Sequence, residues 1–389
     1  MRIVLSGVES NNKGAELMLY AILQELERTI PSAEVYISPN MLKQGLGYIQ
    51  TSMNLCFPPK ESFIVRFFNK FKLTGILNRL GLVNGYLNNL MPVNNVDYFI
   101  DGSGLLFSDK RISSPIFAKI WDKKLELYKR KGSKIIFLPQ GFGPIKKQCT
   151  INTIAALDKH ADLIFAREKT SFNYLNEIVK NKEKVKLFTD FTSLVDGKVL
   201  PLYEHLKGKV CIIPNIQMIN KGVVSKTDYF NILSDIVDTC RSNGYDVYIL
   251  NHEGVKDENL AKEFIALRND NIELVTGLNA LEVKGLISTA YLVISSRFHG
   301  VASSLNSYVP CLATSWHHKY TELFEDFGLN DCVLSIENVE LRQNKIKEYL
   351  DIDRNNEIRK LLAIHKKAIV EQNKDMWRLI WSHSSPIEK

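Results

Sequence analysis

At 389 residues the chain is too long for one comfortable hydrophobic core, which points to about two domains. Its 45% hydrophobic and 24% charged residues are those of an ordinary globular protein, and its net charge of +7 is too mild to single out nucleic acid, membrane or anionic substrate. No RNP-like aromatic motif, zinc-finger spacing or helix-turn-helix signature favours nucleic acid, and none is expected as a partner.

The N-terminus, Met1-Arg2-Ile3-Val4-Leu5, turns polar too soon for a signal peptide, and no apolar run approaches the ~20 residues of a membrane-spanning helix. The six cysteines are scattered, without a CxxC or a metal-type cluster, as reduced core thiols would be. The expected location is the cytoplasm, with membrane contact at most peripheral.

Short apolar β-branched runs alternate with amphipathic stretches along the chain. Ile3–Leu5, Tyr98–Ile100, Ile135–Leu138, Leu163–Ala166 and Val185–Phe188 read as strands of a first half. Val210–Ile213, Val247–Leu250, Ile272–Val275, Leu292–Ile294 and Cys311–Ala313 repeat the pattern in a second. Ala15–Thr29, Lys119–Arg130, Tyr229–Ser242 and Glu258–Arg268 read as helices between them. This is the rhythm of βα units building parallel sheets covered on both faces.

The expected architecture is α/β, two doubly wound, Rossmann-like domains facing a cleft, divided at 195/196 within the turn-rich stretch Asp190–Lys207. The final stretch, Asn355–Trp381, reads as one or two helices able to pack back on the first domain. Between about 60 and 92 the pattern breaks. Phe63–Leu90 interleaves Phe67, Phe68 and Phe71 with Arg66, Lys70 and Lys72, the composition of an interfacial helix or of an inserted helix with its lysines in water. Periodicity alone does not separate the two.

In sheets of this kind ligands bind outside the carboxyl ends of the strands, so residues directly after a strand carry the functional expectation. The strongest such segment is Ser295-Ser296-Arg297-Phe298-His299-Gly300, where Gly300 is expected to open a small-residue helix. A helix start aims N–H groups at an anion, Arg297 offers a planar fork for a carboxylate or phosphate, and His299 titrates near neutral pH. The plainer reading is a capping serine, a surface arginine and a structural histidine. Arg167 follows the strand Leu163–Ala166 and is either an anion grip or the partner of Glu168. In Asn11–Glu16, Gly14 permits close approach to the backbone, and Asn12 bonds a hydroxyl or caps a helix. The loop is not a dinucleotide fingerprint, because GxGxxG is absent. Ser103, between Gly102 and Gly104, and His252, just after Val247–Leu250, complete the strand-end candidates.

Taken in order, several of these segments resemble the polysaccharide pyruvyl transferase family. They are Gly7-Val8-Glu9-Ser10-Asn11-Asn12-Lys13-Gly14-Ala15-Glu16, Phe99-Ile100-Asp101-Gly102-Ser103-Gly104 and Leu138-Pro139-Gln140-Gly141-Phe142-Gly143-Pro144. Ala166-Arg167-Glu168-Lys169-Thr170-Ser171, the Arg297-Phe298-His299 element and Trp316-His317-His318-Lys319 follow. Two positions depart from the pattern: Asp190-Phe191-Thr192 lacks a proline after the aspartate, and Trp316 stands where tyrosine is common.

The resemblance implies a glycosyltransferase-B-like fold, phosphoenolpyruvate as donor, and a sugar or lipid-linked oligosaccharide acceptor that becomes a cyclic pyruvate ketal. It implies no cofactor and no metal. Arg167, Arg297 and His299 are then catalytic. Arg167, Ser296, Arg297, Gly300 and Lys319 hold the donor, and Asn12, Gly14, Glu16, Ser103, Gln140 and His252 lie toward the acceptor, with the first domain as acceptor side and the second as donor side. A nucleotide-sugar glycosyltransferase shares the fold and remains an alternative, as does a binding protein with a degenerate site.

Overall fold

The structure is a computed structural model that describes residues 1–8, 12–38, 49, 51–56, 92, 94–314 and 318–382. The stretch Phe63–Leu90, the loop residues Glu9–Asn11, and Trp316 and His317 lie outside the described residues. The chain divides into two compact units. The first comprises residues 1–11, 18–191 and 376–389, and the second comprises 12–17 and 192–375. Each unit thus takes a short segment from the far side of the division, which a single cut at 195/196 does not contain.

In the first unit seven strands run parallel. They are β1 (Arg2–Ser6), β2 (Glu34–Ile37), β3 (Asn54–Cys56), β4 (Tyr98–Asp101), β5 (Lys134–Gln140), β6 (Leu163–Ala166) and β7 (Val185–Leu187). Their order is β3-β2-β1-β4-β5-β6-β7, so the strand order reverses between β1 and β4. Ile3, Val4, Leu5, Phe99, Ile100 and Ile135–Leu138 are all sealed from water. Burial on both faces is why these strands are continuous apolar runs, not alternating ones. Strand β2 and the edge strand β3, absent from the sequence reading, are short and partly wet, so their local signal is weak.

Helices α1 (Lys13–Thr29), α2 (Pro115–Arg130), α3 (Gln148–His160) and α4 (Lys169–Ile178) connect these strands. In α2, Ser114 accepts a hydrogen bond from Ile116 N at the N-cap and Pro115 opens the first turn, while Lys129 and Arg130 meet the negative end of the helix dipole. Trp121 and Leu125 face the core.

In the second unit β8 (Val210–Ile213), β9 (Val247–Leu250), β10 (Glu273–Val275), β11 (Leu292–Ser295) and β12 (Cys311–Ala313) form a parallel sheet in the order β10-β9-β8-β11-β12. The order reverses between β8 and β11. Helices α5 (Lys226–Ser242), α6 (Gly254–Arg268), α7 (Ala280–Ser288), α8 (Phe298–Asn306), α9 (His318–Asp326), α10 (Val339–Leu350) and α11 (Ile352–Ser382) follow in chain order. A capping box starts α7: Asn279 accepts from Glu282 N, and Glu282 accepts from Asn279 N. The C-terminal stretch is one helix of 31 residues. Its last turns belong to the first unit, where Trp381 meets the Tyr98 ring edge-on at 5.3 Å and Trp377 meets Phe191. All six cysteines are free thiols, and no described helix is long and apolar enough to cross a membrane.

Two buried lysines of the second unit hold the segment with which its main body begins. Lys284 Nζ donates to Thr192 O at 2.9 Å, and Lys366 Nζ donates to Ser193 O and to Asn306 Oδ1. Burial pushes the Lys366 ammonium down to about 7; Lys284 adds to the drop and Asp196 opposes it. An unfolded lysine titrates near ~10.4, so between about pH 7 and 10.4 the unfolded chain binds the extra proton. Stability contributed by this group therefore rises with pH across that window. In urea unfolding at pH 7 and pH 10, wild type is expected to gain more stability with pH than Lys366→Met. Parallel pH profiles for the two proteins would contradict this assignment.

Candidate functional site

In the second unit the polar residues gather where β8, β9 and β11 end. The chain leaves β11 at Ser295, turns, and enters α8 at Phe298 with Arg297 as N-cap residue. Helix α8 thus begins two residues earlier than expected, and His299 sits in its first turn. Gly300 does not open the helix. Its missing side chain answers to packing, because a Cβ there would lie 2.5 Å from Ser295 Oγ. Ser295 Oγ braces the turn, accepting from Arg297 N and donating to Arg297 O, both at 3.0 Å.

Arg297 does not present an open fork. Its Nε and Nη2 donate to Asp257 Oδ2 at 2.8 and 2.5 Å, and its Nη1 donates to Glu253 Oε2 at 2.5 Å. These bonds use three of the five guanidinium N–H groups and leave two to donate. Asp257 is fully buried in the first turn of α6 and also accepts from Ile216 N at 3.0 Å. Burial raises both carboxyls above their ordinary range, and Arg297 works against the rise. Two N–H groups converging on one Asp257 oxygen and a third on Glu253 fix the guanidinium plane.

His252 lies at the end of β9 and is 3% exposed, and its Nδ1 has no hydrogen-bond partner among the described residues. Burial holds it well below the usual histidine range, and Arg297, His299 and Lys13 add to that effect. It is therefore a neutral imidazole near physiological pH.

Ser296, expected to hold the donor, is spent inside the protein. Its hydroxyl pairs with Tyr229 Oη at 2.7 Å and with Thr314 Oγ1, and its carbonyl accepts from Asn215 Nδ2 and Tyr320 Oη. Lys319, on α9, places its ammonium 5.0 Å from the centre of the Phe298 ring.

The first turn of α1 belongs to this unit. Asn12 caps it, its Oδ1 accepting from Gly14 N at 2.8 Å and Ala15 N at 3.2 Å. Gly14 does permit a close approach, but what approaches is His299: a Cβ on Gly14 would lie 2.1 Å from His299 Nδ1. Glu16 is fully buried, pairs with Lys13 at 2.9 Å and accepts from Ala280 N at 3.2 Å. Gly14 therefore makes room for His299, while Asn12 caps the turn and Glu16 is held inside the unit.

In the first unit Arg167 is 8% exposed at the end of β6 and pairs with Glu168 at 3.2 Å and Asp190 at 3.4 Å. Burial alone would lower its pKa, but the two carboxylates outweigh it and raise the value. Glu168 also bonds Ser171, whose Oγ accepts from Phe142 N at 2.7 Å and donates to Phe142 O at 3.1 Å. The Arg-Glu-x-x-Ser spacing thus clamps the Gln140–Gly143 loop. Ser103 and Gln140 stand near Asp101 at the ends of β4 and β5: Gln140 Nε2 donates to Asp101 Oδ1 at 3.3 Å and Ser103 N donates to it at 3.1 Å. Among the described residues no group of three or more His, Cys, Asp or Glu side chains is placed to hold a metal ion.

Sequence reasoning missed Glu253, Asp257, Asn215, Tyr229 and Asp190. A signal existed for the first two. Acidic residues four apart in the first turn of a helix that follows a strand lie on one face of it, at a sheet's carboxyl end.

The family model described as polysaccharide pyruvyl transferase matches residues 12–318, and the chain belongs to that family. No curated protein matches it in sequence. Among solved structures it resembles UDP-GlcNAc 2-epimerase from Neisseria meningitidis bound to UDP-GlcNAc, at 12% identity and TM-score 0.61, covering 98% of this chain and 100% of that one. Anabaena Alr3699/HepE in complex with UDP is similar at 13% identity and TM-score 0.62, with 98% and 99% coverage. UDP-GlcNAc 2-epimerase from Methanocaldococcus jannaschii follows at 12% and 0.57, with 91% and 94%. At such identities the likeness concerns the fold, which is glycosyltransferase-B-like.

The contact between Gly14 and His299 yields a direct test. Gly14→Ala must displace the imidazole. The His299 ring resonances are expected to move in NMR spectra while the protein stays folded. Unchanged ring resonances would show that Gly14 does not set the position of His299.

Proposed function

We propose that the protein transfers the pyruvyl group of phosphoenolpyruvate to a sugar of a polysaccharide or its lipid-linked precursor, closing a cyclic pyruvate ketal and releasing phosphate. The observation that carries this reading is the strand-end constellation of the second unit. An arginine oriented by two carboxylates keeps two N–H donors to spare, and a histidine stands two residues on in a helix's first turn.

The chemistry asks for these groups. Protonation of the donor's methylene carbon creates an oxocarbenium-like centre, which a sugar hydroxyl attacks. Phosphate leaves, and a second hydroxyl closes the ring. His299 supplies the proton to the methylene carbon. Arg297, Lys319 and the N–H groups opening α8 stabilise the donor's carboxylate and phosphate. His252, held neutral by burial and the nearby cations, keeps a second positive charge away from His299. Arg167 is the corresponding strand-end cation of the first unit. No group beyond the co-substrate is required, so turnover is expected to persist in EDTA.

A second reading, transfer from a nucleotide sugar, is favoured by the ligands named for similar structures, UDP and UDP-GlcNAc. One experiment separates the two. Phosphate release is followed with phosphoenolpyruvate and a panel of methyl hexopyranosides, and melting temperatures are compared with phosphoenolpyruvate or UDP-GlcNAc present. Phosphoenolpyruvate is expected to stabilise the protein and to be consumed with formation of a ketal methyl group. Turnover of the nucleotide sugar, with no effect of phosphoenolpyruvate, would replace this reading.

The roles of the two central residues differ in kinetics. His299→Ala is expected to lose ~10²–10⁴-fold in kcat while donor binding persists. Arg297→Lys keeps the charge but not the fork, so donor affinity is expected to fall more than kcat. Calorimetric donor titration and phosphate release check both. A folded His299→Ala protein with near-normal turnover would remove His299 from the mechanism.

A further inference from the structure

Beyond β8, β9 and β11 the chain carries three polar side chains at one level. Ile212, Ile249 and Ile294 lie side by side in the sheet. Three residues on from each stand Asn215, His252 and Arg297. Glu253, directly after His252, accepts from Arg297 Nη1 and so ties the end of β9 to the end of β11. His252 is thus built into the strand-end site of the second unit, to which every group named here belongs.

The chemistry described so far leaves this ring without a substrate contact. It is sealed from water, and its Nδ1 has no hydrogen-bond partner among the described residues. Buried polar groups are as a rule hydrogen-bonded, so an orphan at a ligand site marks where a partner belongs. Charge identifies that partner. Lys13, Arg297, Lys319 above the Phe298 ring and, in its proton-donating form, His299 supply the positive charge. Glu253 and Asp257 hold Arg297 and Glu16 holds Lys13, so carboxylates already answer most of it. Phosphoenolpyruvate adds a carboxylate and a phosphate whose second proton leaves near pH ~6. Its charge exceeds what the cluster has to offer. A proton taken from solvent makes up part of the difference, and a neutral imidazole is the group suited to accept it.

We propose that His252 grips the donor's phosphate through Nδ1, so that phosphoenolpyruvate enters this site together with a proton. This rests on the pyruvyl-transfer reading, and it moves His252 from the acceptor, where the sequence reading set it, to the donor. Of the donor's two anionic groups the phosphate carries the larger charge and gains most from an imidazolium. The step is a protonation alone: Nδ1 gains an N–H bond, the buffer loses a proton, and no bond of the donor changes. The new N–H then donates to a phosphate oxygen in a charge-assisted hydrogen bond.

Electrostatics supports the coupling. Before the donor binds, burial holds His252 well below the usual histidine range, and Arg297, His299 and Lys13 hold it lower still. These cations face it from the turn after β11 and from the first turns of α8 and α1. Glu253 and Asp257 from α6 and Glu16 from α1 are the carboxylates nearby, each already paired, and Asn215 beyond β8 is neutral. An anion against the ring reverses the balance and raises its pKa. Affinity for the donor is then greatest below the His252 pKa of the free protein. It falls as pH climbs from there toward the pKa in the complex.

The test is calorimetric titration of the full chain with phosphoenolpyruvate at about pH 7.5, repeated in buffers of different ionisation enthalpy to count protons. Wild type is expected to take up at least ~0.3 proton per donor bound, and its dissociation constant to rise ~2- to 10-fold between about pH 7 and 8. His252→Gln, whose amide does not titrate, is expected to lose this uptake and most of the pH dependence. In His299→Ala the uptake is expected to persist, which separates the two histidines. Undiminished uptake in a folded His252→Gln overturns the assignment, and so does its loss in His299→Ala. If His252→Gln fails to fold, the histidine ring resonances of His299→Ala decide. One neutral ring is expected to turn imidazolium as phosphoenolpyruvate is added, and none doing so overturns the assignment. A folded wild type that does not bind phosphoenolpyruvate overturns the pyruvyl-transfer reading and this inference together. Binding without proton uptake overturns only the latter.

Discussion

A carboxylate and a guanidinium, both largely withdrawn from water, meet where one Asp257 oxygen accepts from two nitrogens of Arg297. Breaking such a pair from one side strands a buried charge, at a cost of about 3–5 kcal/mol. The pair therefore holds the exits of three elements in fixed relation. Asp257 comes from the first turn of α6, Arg297 from the end of β11, and the Ile216 amide that Asp257 also accepts from the segment after β8. The surroundings of His252 and His299 follow from this fixed frame. Burial first, then Arg297, His299 and Lys13 nearby, disfavour the protonated form of His252.

The first unit solves a similar problem with different groups. Strands that end inside a packed sheet leave polar backbone without partners, and the residues just beyond must satisfy it. Ser171 does so for Phe142, Glu168 ties Ser171 to Arg167, and Asp190 holds the far side of the guanidinium. A segment readable as a functional signature is thus also a brace. The aspartate of Asp190-Phe191-Thr192 is explained by this pairing, whether or not a proline follows it.

Several positions gained a different physical meaning once their neighbours were known. Gly14 read in sequence as an opening toward a ligand and Gly300 as the start of an anion-binding helix. Each instead makes room for a neighbouring side chain, His299 in one case and Ser295 in the other. Ser296 reads as a hydroxyl for the donor but is consumed by Tyr229 and Thr314. The misreadings share a cause. Glycine and serine after a strand suit ligand approach and tight packing equally, and only the identity of the facing atom distinguishes them.

Composition and local pattern alone determined the βα rhythm, the central strands and the segment Ser295–Gly300 as a strand-end site. These follow from burial, and burial leaves its mark residue by residue: a strand covered on both faces must be apolar throughout. The ordered set of family segments likewise identified the family without any coordinates. Tertiary structure alone decided which carboxylates hold Arg297. Asp257 and Arg297 stand 40 residues apart, and they meet because β11 lies beside β8 and β8 beside β9. No local periodicity encodes that adjacency, since strand order is set by how whole elements pack.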